Sequence, residues 1–308
     1  MHRHHGTAAG AARRLAAATA GLGVLFLCSC VSAPRDVDVP GQPDFAEIRH
    51  LVDVCRSIYF DEPPAIRARW GAYYDEVEIV DVAEGDRYLI GTREAPARQE
   101  IVIRPTANLV NAISDIDFRL RKDARLGVLL HAGFHRGALH IYRDLIRRLR
   151  PGYDIVVYGH SMGGAEAVIL AGFLQEDGWR LAQVYTGGQP RVTDGPGAAR
   201  LSCLPLTRVV NDGDLVPYLP PRLRYTSFGK VVVLLDGPYY CLMDGVEADA
   251  AMSAGYQVTF AHGDMSTEQR SHSLRGYLER LKGKLDHAIR VPFADRELYL
   301  FTASTEAK

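Results

Sequence analysis

The sequence has almost no charge imbalance, few cysteines and no internal repeat or low-complexity block. Its 36 Lys and Arg against 37 Asp and Glu leave a formal charge of -1, so electrostatics give no reason to expect a nucleic-acid partner. The densest basic stretch, Arg143 to Arg150, sets its arginines among Ile141, Leu145 and Leu149 at helical spacing. It reads as the solvated face of a helix rather than a binding patch. Three of the five cysteines, Cys55, Cys203 and Cys241, lie outside the first thirty residues. They are too far apart to resemble a zinc-ligand pattern, and an odd count leaves at least one unpaired. What the sequence does have is an ordinary globular balance, 47% apolar and 24% charged. That is enough for one large α/β domain, a class that runs to 200–250 residues.

Residues 1–30 read as a targeting segment. Arg13 and Arg14 end a basic stretch, and an apolar run follows from Leu15 to Leu27. That run is too short to span a bilayer comfortably but suits a signal-peptide core. It ends in Leu27-Cys28-Ser29-Cys30, which resembles a bacterial lipobox with Cys30 as the lipidated residue. The alternative is a plain cleaved signal, giving a secreted or periplasmic protein. Residues 31–45 form a Pro-rich acidic tether. Val31 stands where an inner-membrane retention signal would tend to carry Asp, so the resemblance favours an outer-membrane anchor.

Beyond the tether, apolar residues recur at helical spacing over residues 46–60. Strands are expected at Tyr88–Ile90, Ile101–Ile103, Val128–Leu130, Ile155–Tyr158, Val184–Thr186 and Arg208–Val210. Late, hairpin-forming β structure is expected at Tyr225–Leu235. Helices are expected at Asn108–Asp117, Arg136–Leu149, Gly163–Gln175 and Ser271–Lys282. This alternation predicts an α/β fold, a mostly parallel central sheet with helices on both faces, over residues 46–285, with an uninformative tail at 286–308. The stripe Leu109, Val110, Ile113 and Ile116 is either a core-facing helix side or the apolar face of a lid.

Gly159-His160-Ser161-Met162-Gly163 matches G-x-S-x-G and sits between a wholly apolar strand and a helix. The strand-to-helix turn is sharp, so the positions two away from the serine must lack bulk, which Gly159 and Gly163 satisfy. The turn exposes the Ser161 hydroxyl near a helix N-terminus, where partial positive charge favours an anion. A serine hydroxyl needs a base to take its proton and a carboxylate to orient that base. In this strand–turn–helix context the order is Ser, then acid, then His. Asp212 and Asp214 both follow an apolar strand, and spacing alone does not choose between them. Of the downstream histidines, His272 at a helix start is favoured over His262 in a loop and His287 in the tail. His131 and His135 have no carboxylate or cysteine cluster with them, so no metal is expected.

In order along the chain, these motifs resemble the class 3 lipase family. Ile101-Val-Ile-Arg-Pro-Thr106 is similar to the strand that ends in an oxyanion-hole Ser or Thr. His131-Ala-Gly-Phe134 resembles H-x-G-F, and Thr186-Gly-Gly-Gln-Pro-Arg-Val192 resembles T-F-G-x-P-R-V. Asp214-Leu-Val-Pro217 resembles D-x-V-P, and His272 with Tyr277-Leu278 resembles the family's H…Y-L ending. The resemblance implies an α/β-hydrolase with the triad Ser161, Asp214 and His272. It also implies an oxyanion hole from Thr106 and the backbone N–H of Met162. It implies a serine carboxylic-ester hydrolase acting on lipid acyl esters, of triacylglycerol lipase or phospholipase A type, without cofactor. The alternatives are a short-chain carboxylesterase or thioesterase on the same triad, and a non-catalytic lipid-binding lipoprotein. The expected partners are an acyl-ester or lipid substrate and, through Cys30, a membrane. Pro105, Gly187 and Ser227 depart from the family's usual Gly, Phe and His.

Overall fold

The computed structural model describes residues 41–104, 118–245, 248–253 and 270–300. The chain divides into two units, Met1–Asp38 and Val39–Lys308, and all of these residues lie in the second. Cys30, Pro105, Thr106, the stripe Leu109, Val110, Ile113 and Ile116, and His262 lie outside the described residues.

The first helix, α1 (Phe45–Phe60), starts where the Asp44 carboxylate accepts the Glu47 N–H at 2.8 Å, a side-chain N-cap. It buries Ile48, Leu51, Val52, Cys55 and Ile58. After α2 (Pro63–Trp70) come three antiparallel strands, β1 (Glu76–Asp81), β2 (Arg87–Glu94) and β3 (Ala97–Arg104). A small antiparallel pair follows, β4 (Leu120–Lys122) with β5 (Leu129–His131). The chain then alternates through α3 (Ala132–Leu145), β6 (Asp154–His160), α4 (Met162–Glu176), β7 (Leu181–Gly187), α5 (Gly195–Leu201) and β8 (Leu206–Asn211). It closes with β9 (Lys230–Leu234), β10 (Tyr239–Met243), α6 (Leu274–Lys282) and β11 (Ile289–Arg290).

The main sheet runs β1-β2-β3-β6-β7-β8-β9-β10-β11. Its centre, β3-β6-β7-β8-β9, is parallel, and its margins are antiparallel, apart from the short edge strand β11. The pleat explains why β6 is apolar throughout. Ile155 and Val157 enter the core under α3 and α4, while Val156 and Tyr158 enter the opposite core with α1 and α6. A strand covered on both faces cannot alternate polar with apolar. Helix α4 is likewise buried on all sides from Gly163 to Leu174, as expected of a helix inside rather than on a fold. Among the described residues no helix is long and apolar enough to cross a membrane.

Some elements differ from expectation. Helix α3 begins at Ala132, four residues before Arg136, because the His131 ring accepts the Phe134 N–H at 3.4 Å. It ends at Leu145, where Arg147 and Arg148 turn back on Asp144 O and Leu145 O. The strand expected at Val128–Leu130 pairs with β4 in the separate small sheet rather than in the main one. The late hairpin forms from β9 and β10, and β10 was not anticipated. Ile289–Arg290, in the stretch that the sequence left uninformative, adds a parallel strand beside β10.

Candidate active site

The turn from β6 into α4 places Ser161 at φ 57°, ψ -128°. Among the described residues it is the one non-glycine with positive φ, a sparsely populated conformation that costs an L-residue roughly 1–3 kcal/mol. The surroundings hold it there. The Ser161 N–H donates to Gly187 O at 2.8 Å, and its own carbonyl accepts from Gly164 at 2.9 Å and Ala165 at 3.2 Å. Gly159 is required by contact: a Cβ there would lie 2.0 Å from the Gly163 carbonyl oxygen. Met162 is the first residue of α4, so its N–H has no intrahelical acceptor.

Asp214 follows β8 and His272 precedes α6. The two strand ends and the helix start bring Ser161, His272 and Asp214 together. His272 Nε2 lies 2.9 Å from Ser161 Oγ. His272 Nδ1 lies 3.0 Å from each carboxylate oxygen of Asp214. Two further donors hold that carboxylate: the Tyr277 hydroxyl at 2.6 Å and the Val216 N–H at 3.0 Å. Burial alone would raise the pKa of Asp214, but His272, Tyr277 and Val216 outweigh it and hold the carboxyl below its usual 3.8. A carboxylate kept ionised with both oxygens on Nδ1 fixes the tautomer that leaves Nε2 free to accept the serine proton. The other candidates are not part of this cluster: Asp212 faces Arg296 at 3.5 Å, and His287 is exposed.

His160 is buried beside the nucleophile, its ring 4.7 Å from that of His272 and edge-on to Tyr277 at 5.5 Å. Burial, reinforced by His272, lowers its pKa to about 3. It is a neutral packing ring, not a base. His131 stacks on Phe134 at 3.8 Å and His135 bonds Asp123 at 2.8 Å. Among the described residues no cluster of His, Cys, Asp or Glu could hold a metal. Cys55 and Cys241 are buried free thiols and Cys203 is an exposed one.

Sequence reasoning missed two residues. Gly188, at φ +57°, abuts the triad: a Cβ there would meet Asp214 Oδ2 at 2.7 Å and His272 Nδ1 at 2.9 Å. Tyr277 was noted only as part of a motif, and its bond to Asp214 depends on a fold-wide approach of α6 to β8. The departure at Gly187 also has a cause. A Cβ there would lie 2.8 Å from the Tyr158 hydroxyl and 3.2 Å from His160. Ser227, the other departure, is buried at 4% exposure, with no hydrogen-bond partner for its hydroxyl among the described residues.

Residues 100–224 match the family model Lipase (class 3). A lipase from Rhizomucor miehei is 34% identical over 134 residues, 39% of this chain and 37% of that protein. A secreted mono- and diacylglycerol lipase from Fusarium solani is 30% identical over 179 residues, 50% of each chain. The chain thus spans half or less of the length of these relatives. A crystal structure of a fungal lipase superposes with a TM-score of 0.62 at 18% identity, covering 79% of this chain and 99% of that one. This likeness is one of fold, and the fold is that of an α/β-hydrolase.

Proposed function

We propose that the chain is an exported serine hydrolase of the class 3 lipase kind, acting on the acyl esters of lipids through Ser161, His272 and Asp214. The observation that carries this reading is the unbroken relay from Ser161 Oγ to His272 Nε2, and from His272 Nδ1 to Asp214. The family match over residues 100–224 supports it. The secreted relatives support export, and the Cys30 signal adds a lipid anchor at the outer membrane.

The chemistry follows from the geometry. The carbonyl carbon of the ester approaches Ser161 Oγ. His272 Nε2 takes the hydroxyl proton as the Oγ–C bond forms, and the carbonyl π pair moves to oxygen. By the family resemblance, the Met162 N–H and Thr106 receive that oxyanion, each donor contributing about 2.7–4 kcal/mol of barrier lowering. Asp214 stabilises the imidazolium without taking its proton. The tetrahedral intermediate collapses, the C–O bond to the alcohol breaks, and His272 returns the proton to the leaving oxygen. Water then repeats the sequence on the acyl-enzyme and releases the fatty acid.

The test is hydrolysis of p-nitrophenyl esters from acetate to palmitate by the parent and by Ser161→Ala. Turnover in the parent that vanishes in the variant supports the reading, and preference for long chains assigns lipid esters. Folded parent without turnover on any chain length would overturn it in favour of non-catalytic lipid binding. Preference for the shortest chains would replace lipase with carboxylesterase. A separate measurement addresses the anchor: Cys30→Ser is expected to shift the protein from the membrane fraction to the soluble one.

A further inference from the structure

Four short stretches of chain form a ribbon, two of them on connections that leave the candidate active site. β4 pairs with β5, Leu130 bridges Thr193, and Thr193 bridges Thr226. The Thr193 hydroxyl donates to Leu129 O at 2.5 Å. The Tyr225 hydroxyl donates to Phe118 O at 3.1 Å, which ties the first stretch to the last. Two of the stretches continue from strand ends that carry the site. Thr193 lies five residues past Gly188 on the exit from β7, and Thr226 lies on the connection that runs from Asp214 to β9. Both connections leave the sheet at the carboxyl ends of strands, the side that ligands approach in such sheets.

Its surface combines apolar tips with cations that are in no ion pair among the described residues. Leu223 is 93% exposed, Phe118 42% and Leu129 36%. One exposed leucine needs no explanation, but these three share one ribbon and a basic setting. Residues 118–131 and 219–226 carry six Arg and Lys against a single acid, Asp123. That acid is buried and turned inward onto His135. Arg125 is paired with Asp177, and Arg222 with Asp249 at 3.0 Å. Arg121, Lys122 and Arg224 are exposed and in no ion pair among the described residues. Leu223 stands between Arg222 and Arg224. Apolar tips flanked by cations complement a surface with hydrocarbon beneath and anionic oxygens above. An acidic protein partner would use the cations but would have no need of an almost fully exposed leucine.

We propose that this ribbon docks the protein on an anionic lipid surface, with Leu223 and Phe118 entering the acyl layer and Arg121, Lys122 and Arg224 on the headgroup phosphates. Its purpose rests on the ester-hydrolase reading, since docking there presents lipid to Ser161. The binding itself is separable from turnover.

The test uses the full-length chain carrying Cys30→Ser, sedimented with phosphatidylglycerol or phosphatidylcholine vesicles at low and high salt. Leu223→Ser is compared with a triple reversal, Arg121→Glu, Lys122→Glu and Arg224→Glu. The leader is common to all of these proteins, so differences between them read the ribbon. Binding is expected to favour phosphatidylglycerol and to weaken with salt. Leu223→Ser should weaken it about tenfold, and the reversals by roughly fivefold per cation. Turnover of p-nitrophenyl acetate and the melting temperature should match the parent in every variant. Equal binding to the two lipids, or variants that bind like the parent, would overturn the proposal. Weakening by the reversals with none from Leu223→Ser would also overturn it, in favour of an acidic macromolecule. If the parent lacks turnover yet shows the lipid preference and its loss in both variants, the hydrolase reading fails and the docking surface stands.

Discussion

Gly188→Ala is the sharpest perturbation that the site offers, because one methyl group would press on two triad members at once. Its Cβ would stand 2.7 Å from Asp214 Oδ2 and 2.9 Å from both Nδ1 and Cε1 of His272. Ordinary contacts begin near 3.4 Å, so the pair must part or rotate by about half an ångström or more. The His272 Nδ1 to Asp214 distances of 3.0 Å would then lengthen beyond a good hydrogen bond. Displacements of about 1 Å near the chemistry cost on the order of 10²-fold, and loss of the orienting acid bounds the effect near 10⁴-fold. The expected fall in kcat/KM is therefore between about tenfold and a thousandfold. Alanine at φ +57° adds a backbone penalty of roughly 1–2 kcal/mol. For a domain of this size that penalty lowers Tm by about 2–8 °C.

The control separates strain from collision. Gly178 has a similar φ of +78°, and a methyl group there would have no neighbour within 4 Å. Gly178→Ala should lower Tm by a comparable amount and leave p-nitrophenyl ester turnover unchanged. The assay is kcat/KM on a soluble ester together with a thermal melt for each variant. If Gly188→Ala stayed within about threefold of the parent while Gly178→Ala behaved as stated, the crowding argument would be refuted. The Asp214–His272 contact would then not be what orients the base.

Tyr277→Phe removes the hydroxyl that donates to Asp214 at 2.6 Å and accepts from the Asn211 N–H at 3.1 Å. A bond to a buried charge is worth about 1.5–3 kcal/mol, so kcat should fall roughly tenfold with KM little changed, and the acid limb of the pH profile should move upward. Asp214 has a folded pKa below its unfolded value. Its stabilisation is thus complete above about pH 4 and is lost as pH falls through the lower folded value. In Tyr277→Phe the acid-unfolding midpoint by circular dichroism should shift to higher pH, and an unchanged midpoint would count against the bond. His160 has a linkage of the same sign in a higher pH window. The unfolded chain takes up a proton near pH 6.5, whereas the folded ring resists until about pH 3. Stability should therefore fall by up to about 1.4 kcal/mol per pH unit below 6.5. His160→Phe should flatten that slope, as measured by urea unfolding at a series of pH values.

What could be read from the sequence was what depends on neighbours along the chain. Ser161 between Gly159 and Gly163 needed only the local rule that a strained turn excludes side chains, and a Cβ at Gly159 would indeed strike the carbonyl four residues on. The apolar run Ile155–Tyr158 was legible as a strand because both its faces are covered, and so was the Phe45–Phe60 helix from its 3.6-residue period. Asp214 could not be separated from Asp212 in this way. The two differ by which side of the β8 exit they fall on: one meets His272, the other Arg296. That difference is set by residues 58 and more positions away, and no local pattern encodes it.

The same limit explains why the residues that tune the site escaped notice while those that form it did not. Gly188 reads as half of a Gly-Gly pair in a loop, and Tyr277 as one apolar position of an amphipathic helix. Each acquires its role from an approach between distant elements: β7 against the Asp214 loop, α6 against β8. Strand β10 and the edge strand Ile289–Arg290 were missed for a related reason. Tyr239–Met243 is short and follows a Gly-Pro turn, and a two-residue strand has no period to detect. The ribbon of Leu223 and Arg224 is a sharper case. In sequence its members are separated by about a hundred residues and look like solvated loop. Only the bridges Leu130–Thr193–Thr226 make them one surface. Chemistry that needs a strained backbone marks the sequence locally, whereas chemistry that needs only proximity leaves its mark in the fold.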